Sequence, residues 1–200
     1  MSSQRMKDRF DQAHLVNIAN GLTTARVLLV PLFAYMLIEG RFRFALLVFA
    51  ACGISDMLDG LLARWLRQQT LLGFLLDPIA DKILMATAFV VLAIVKVVPA
   101  WLTIMIVSRD LFILVGSILI LLLLGTGEIA VTGLGKANTI VQILTVLYFL
   151  TERSFPHVLE RSFPGVEPVL TGAIVAICAA STALSGLHYM AIGIRKISRA

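Results

Sequence analysis

Charge is scarce in this 200-residue chain: Asp, Glu, Lys and Arg together make up 14% of it, against a hydrophobic share of 59%. That scarcity excludes an ordinary water-soluble domain, in which about a quarter of the residues are charged, and the mean hydropathy of +0.94 points the same way. Cysteine and histidine are scarcer still, with two and three residues. Cys52 and Cys178 fall in apolar runs, where a thiol behaves as a small apolar group, so a disulfide framework is not expected. His14, His157 and His188 lack the spacing of a zinc site. The chain also lacks any basic and aromatic constellation of the kind that binds nucleic acid.

What is present is a succession of apolar stretches broken by charge, Gly or Pro, which predicts membrane spans near 20–38, 43–63, 78–97, 100–124, 136–151 and 167–192. The length leaves room for one bundle of about six helices of roughly 20 residues each, and little else. We therefore expect one domain over residues 1–200, with 1–16 as an interfacial segment. Backbone groups in lipid must pair within a helix or a closed barrel, and these runs lack the alternation of a barrel strand. The predicted fold is an all-α integral membrane bundle of six transmembrane helices. The basic leader before the first run superficially resembles a secretory signal, but Arg26 and Pro31 interrupt the run and no small-residue cleavage site follows it.

Arg5, Lys7, Arg9, Arg64, Arg67, Lys136, Arg195, Lys196 and Arg199 fall on one side of such a bundle, against Arg41, Arg43, Lys96, Arg153 and Arg161 on the other. The positive-inside rule then places both termini and the 64–76 loop in the cytoplasm. The net charge of +5 suits contact with anionic headgroups among the membrane lipids. With no Ser/Arg-rich transit segment, a bacterial cytoplasmic (inner) membrane is expected ahead of a mitochondrial inner membrane.

Against this apolar background, SDMLDGLLARWLRQQTLLGFLLDPIADK (55–82) places four aspartates within 26 residues. On a helix, Asp56, Asp59, Gly60, Ala63, Arg64 and Arg67 form one stripe: two carboxylates, a gap beside two small residues, and cations beyond. Asp77 and Asp81, four apart, share a face of the next helix, and a hairpin would bring the two pairs together. Four carboxylates at a membrane edge repel one another and are costly to desolvate, so they require protons or divalent cations. An all-oxygen donor set without His or Cys favours Mg²⁺ or Mn²⁺ over zinc. Singly, each acid has a plainer explanation; Asp77 before Pro78 is what a helix start looks like, an N-cap followed by proline at the first helical position. The joint pattern is what those explanations leave unaccounted for.

Residues 56–81 resemble the signature of the CDP-alcohol phosphatidyltransferase family, D-x2-D-G-x2-A-R-x8-G-x3-D-x3-D, at every fixed position: Asp56, Asp59, Gly60, Ala63, Arg64, Gly73, Asp77 and Asp81. The resemblance implies a six-span fold, usually a homodimer, with its active site at the cytoplasmic side. It also implies an enzyme of phospholipid biosynthesis that moves a phosphatidyl group from CDP-diacylglycerol to an alcohol and releases CMP. It would make Asp56, Asp59, Asp77 and Asp81 the ligands of a two-metal Mg²⁺ or Mn²⁺ site, with Asp81 also the general base. Gly60, Ala63, Arg64, Asn20 and Gly73 would bind the CDP donor.

The acceptor is carried by segments outside the signature. NIANGLTTARVLLVP (17–31) resembles an opening shared by the phosphatidylglycerophosphate synthase and cardiolipin synthase branches, with Ala19 in place of the usual proline. SRDLFI (108–113) resembles the cardiolipin synthase branch. GKANTIVQ (135–142) is mixed: Asn138 matches the cardiolipin form, Gly135 the other. Phosphatidylglycerol carries one negative charge where glycerol 3-phosphate is close to a dianion, so Asn138 in place of a second lysine favours the former. Arg109, Lys136, Asn138 and Arg26 are the acceptor-binding candidates. A basic residue inside a span is costly, which marks Arg109 as functional or as half of a buried pair. Arg109 and Asp110 are sequence neighbours, so each is expected to face a different partner. The favoured acceptor is phosphatidylglycerol, giving cardiolipin; the alternative is glycerol 3-phosphate. A cation transporter is the non-enzyme alternative, because intramembrane acids also mark ion pathways, but no second, inverted copy of the acidic segment is present. The 152–166 loop matches no pattern.

Overall fold

The computed structural model describes residues 18–66, 71–124, 132–156 and 165–197, with side-chain detail for 27–55, 82–117, 132–156 and 165–195. The described residues form six α-helices and no strand: α1 Ile18–Ile38, α2 Phe42–Leu66, α3 Leu71–Ile94, α4 Ala100–Leu124, α5 Gly133–Ser154 and α6 Val166–Ile197. Hydropathy anticipates five of the six starts closely. The exception is α3, expected from residue 78 and observed from Leu71. Asp77 and Pro78 therefore lie inside the helix rather than at its start, and the N-cap explanation of Asp77 fails. Pro31 likewise sits within α1, where its missing N–H removes one backbone hydrogen bond.

Two turns end their helices by the same device. After α1, Arg41 N–H donates to Met36 O at 2.8 Å and Gly40 N–H to Leu37 O at 3.1 Å, with Gly40 at φ +69°. This is a Schellman closure, and glycine takes its left-handed residue without steric cost. After α3, Val97 N–H donates to Leu92 O at 2.8 Å and Lys96 N–H to Ala93 O at 3.0 Å, but here the left-handed residue is Lys96, at φ +59°.

The chain divides into two compact units after Val91. In the first, α1 packs along α2. Val30, Phe33 and Leu37 bury one stripe of α1, and Ala45, Phe49 and Cys52 one stripe of α2; the Phe33 and Phe49 rings meet at 5.7 Å between centroids. In the second unit α6 packs against both α4 and α5. Its interior is partly polar: Asn138, Gln142 and Thr145 of α5 and Thr182 and Ser185 of α6 are all buried. Large apolar side chains, among them Trp101, Ile104, Phe112, Leu144, Ile177 and Leu187, face outward instead. Polar inside and apolar outside is the pattern of helices solvated by lipid, where small residues and hydroxyls hold helices together. Ala100–Ser117, Gly133–Ser154 and Val166–Arg195 are long and apolar enough to cross a membrane, and the apolar helical stretches Val27–Ile38, Phe42–Ser55 and Lys82–Ile94 are shorter.

Candidate functional site

Helix α2 carries Asp56, Asp59, Gly60, Ala63 and Arg64, and α3 carries Gly73, Asp77 and Asp81. Asn20 and Arg26 lie in α1. The backbone is thus helical through both acidic pairs, as the three- and four-residue spacings require. The side chains of these ten residues, and the metal site expected of the aspartates, lie outside the described residues. So do His14 and His157, whereas His188 is exposed on α6.

The acceptor candidates of the second unit are described. Arg109, in the tenth position of α4, is 8% exposed at its side chain. Its Nη1 donates to Asp110 Oδ1 at 2.6 Å, its Nη2 donates to Ser185 Oγ on α6, and its guanidinium carbon lies 5.5 Å from the centre of the Tyr189 ring. Nε is buried without a partner. The expectation that Arg109 and Asp110 could not pair is corrected. The spacing rule describes where Cβ atoms point, and a side chain as long as arginine, buried at its guanidinium, curls back to a neighbouring half-buried carboxylate.

Tyr189 links this cation to the start of α5. Thr132 is the N-cap, its Oγ1 accepting from Gly135 N–H at 3.1 Å, and its own N–H donates to Tyr189 Oη at 3.1 Å. That phenol lies so close over Gly135 that a Cβ there would meet Tyr189 Oη at 2.5 Å and two ring carbons at 3.1 and 3.2 Å. Gly135, which the sequence offered as a mark of the glycerol 3-phosphate branch, has a packing reason of its own. Lys136, the next residue, is exposed in the first turn of α5.

Asn138 is 1% exposed. Its Oδ1 accepts from Ser181 Oγ at 2.9 Å and Thr182 Oγ1 at 3.1 Å, which turns Nδ2 away from them and leaves it without a partner. One turn on, Gln142 is equally buried and its Nε2 is also unpartnered. The structure therefore sets Arg109 and Asn138 against one polar seam of α6, while Lys136 stands on the outer side of α5. Ser181, Thr182, Ser185 and Tyr189 were missed from sequence. Their signal, polar groups recurring at helical spacing on a single face of an apolar helix, was there to read.

Comparison with known proteins accords with the acidic signature. The profile of the CDP-alcohol phosphatidyltransferase family matches residues 16–191. The human protein named cardiolipin synthase (CMP-forming) is 32% identical over 188 residues, 86% of this chain and 61% of that protein; this chain therefore spans less than two thirds of its length. A probable phosphatidylglycerophosphate synthase of Mycobacterium tuberculosis is 32% identical over 194 residues, 93% of this chain and 86% of that protein. A putative cardiolipin synthase of Mycobacterium bovis is 33% identical over 160 residues, 77% of this chain and 75% of that protein. With the family profile covering nearly all of the chain, and the fixed residues of the signature in helical register on α2 and α3, this chain belongs to the CDP-alcohol phosphatidyltransferase family.

Proposed function

We propose that this chain is an enzyme of phospholipid biosynthesis that transfers the phosphatidyl group of CDP-diacylglycerol to phosphatidylglycerol, giving cardiolipin and CMP. The observation that supports the acceptor is Asn138. A buried, neutral amide, fixed by two hydroxyls and turning a free donor the other way, suits the single charge of a phosphodiester better than a phosphomonoester dianion. A lysine at that position would have to be desolvated among groups that supply no counter-charge.

Asp56, Asp59, Asp77 and Asp81 are the residues that would hold Mg²⁺ or Mn²⁺; an all-carboxylate set on two helices fits hard divalent cations. When bound, such ions neutralise a diphosphate and polarise its phosphorus. Asp81 takes the proton of the acceptor hydroxyl as its oxygen attacks the phosphorus that bears diacylglycerol; the bond from that phosphorus to the bridging oxygen breaks, and CMP leaves with its electron pair. Gly60 and Ala63 leave room for the cytidine, with Arg64, Asn20 and Gly73 also on the donor. Arg109, Lys136, Arg26 and Asn138 hold the acceptor. The reading includes one domain of six membrane spans with both termini cytoplasmic, a homodimer, and residence in a bacterial cytoplasmic membrane.

Glycerol 3-phosphate as acceptor is the second reading, supported by the near full-length match to the mycobacterial phosphatidylglycerophosphate synthase and by the exposed cation of Lys136. Purified protein given labelled CDP-diacylglycerol, with Mg²⁺ or Mn²⁺ and either acceptor, separates the two. Cardiolipin from phosphatidylglycerol is the expected product; phosphatidylglycerophosphate from glycerol 3-phosphate, with no cardiolipin, would move the chain to the other branch.

A further inference from the structure

Two buried amide donors on one face of α5 have no partner. Asn138 Nδ2 and Gln142 Nε2 sit four residues apart, about 6 Å along the axis, each on a residue 1% exposed. Every donor left unpaired in an apolar interior weakens a fold by about tenfold or more in its folding equilibrium, and native proteins keep few of them. No local hydroxyl accepts from either of them, and the hydroxyl protons nearby are aimed elsewhere. Thr182 Oγ1 donates to Asn138 Oδ1, and Thr145 Oγ1 donates to Val141 O at 2.8 Å. Ser181 Oγ shares its one proton between Asn138 Oδ1 and Cys178 O.

A third donor, Arg109 Nε, is buried and unpaired against the same helix α6. Its Nη2 reaches Ser185, one turn from the Thr182 that holds Asn138. Arg109 already has its counter-charge in Asp110. Asn138 Nδ2 and Gln142 Nε2 thus present two unpartnered donors on α5, and Arg109 Nε a third against α6, with little net charge among them. A water molecule accepting there would bring two protons needing acceptors of their own. A phosphoryl oxygen accepts and donates nothing.

From this geometry we propose that Asn138 and Gln142 together form a buried donor site for a phosphoryl oxygen, and that Gln142, which lies outside the aspartate signature and closes the 135–142 segment, is an acceptor-binding residue beside Asn138. The proposal rests on the phosphatidyltransferase reading only for which molecule carries that phosphate: a phosphodiester lipid or a free phosphomonoester.

The test uses full-length protein in detergent and the variant Gln142→Met, which keeps the unbranched shape and removes the amide. Steady-state transfer should show KM for the phosphate-bearing acceptor raised about ten- to hundredfold, as expected for losing a hydrogen bond to a charged group, with KM for CDP-diacylglycerol unchanged. Tm without acceptor should hold or rise, because a buried donor without a partner has been removed. Tm is then measured with phosphatidylglycerol, glycerol 3-phosphate, or diacylglycerol, which lacks the phosphate. A rise with one phosphate-bearing probe, absent with diacylglycerol and lost in Gln142→Met, identifies the source and supports the site. An unchanged acceptor KM overturns it, as does a variant that melts several degrees lower with normal kinetics, the behaviour of a structural water site. If the wild type transfers to neither acceptor yet shows the phosphate-dependent rise, the donor site stands and the activity reading fails. If transfer proceeds and Gln142→Met matches the wild type, the reverse holds.

Discussion

Replacing Gly135 by alanine should loosen three helices at once. The new methyl would lie 2.5 Å from Tyr189 Oη and within about 3.2 Å of two ring carbons, so the phenol has to move. In moving it gives up its hydrogen bond from the Thr132 N–H and its place beside the Arg109 guanidinium. Overpacking a filled site costs about 1–3 kcal/mol, a partly buried N–H left without its acceptor about 1, and a partly desolvated cation–π contact about 1. Alanine returns about 1 kcal/mol through its helix propensity, and relaxation recovers part of the rest. The net expectation is about 1–3 kcal/mol of destabilisation, roughly 2–10 °C in Tm for a chain of this size. Thermal unfolding in detergent, followed by intrinsic fluorescence or thiol reactivity, reads this directly. Gly135→Ala combined with Tyr189→Phe removes the 2.5 Å contact and leaves ring carbons at 3.1 and 3.2 Å, so the pair should recover a few degrees over Gly135→Ala alone. A Gly135→Ala protein as stable as the wild type would refute the packing account and return Gly135 to the role of an acceptor-branch marker.

Other substitutions probe separate parts of the molecule. Asp81→Asn should abolish transfer while metal-dependent binding of CDP-diacylglycerol persists at least in part; substantial turnover would remove Asp81 as the base. Lys96→Gly should raise stability by about 0.5–1 kcal/mol, because glycine takes the left-handed closure of α3 without steric cost, and a lower Tm would show that the lysine side chain contributes more than its backbone strain costs. Arg109→Lys keeps the charge but cannot serve Asp110 and Ser185 as a guanidinium does; a loss of about 1–3 kcal/mol with a raised acceptor KM is expected, and wild-type behaviour would show that only the charge matters.

Apolar length, which needs no partner to interpret, made the six helices legible in sequence. The start of α3 was misplaced because Asp77 and Pro78 carry the chemistry of a helix beginning. The helix in fact starts at Leu71, directly after Thr70, itself a residue type that favours helix caps, and that weaker mark was passed over for Asp77 and Pro78. The acidic pairs were legible because they break the apolar rule at fixed spacing. The seam of Ser181, Thr182, Ser185 and Tyr189 recurs at helical spacing but was passed over, since hydroxyls are near neutral in hydropathy and their purpose appears only when Arg109 and Asn138 meet them. The Arg109–Asp110 pair was misjudged by applying a rule about Cβ directions to the longest cationic side chain. Gly135 read as a family mark because sequence cannot show the ring lying over it.

The bond from the Thr132 N–H to Tyr189 has a consequence for where the protein meets its lipid. Lysine is a flexible tether, and left to itself would let its ammonium wander several ångströms along the bilayer normal. Here the backbone beneath Lys136 is anchored to α6 through Tyr189, and α6 is anchored to α4 through Ser185 and Arg109. The root of that tether has a fixed elevation, as a mooring post has when it is set in the quay rather than on the boat. In a thicker or thinner bilayer these three helices would tilt as one piece, carrying the charge with them, instead of letting α5 slide to find a new level.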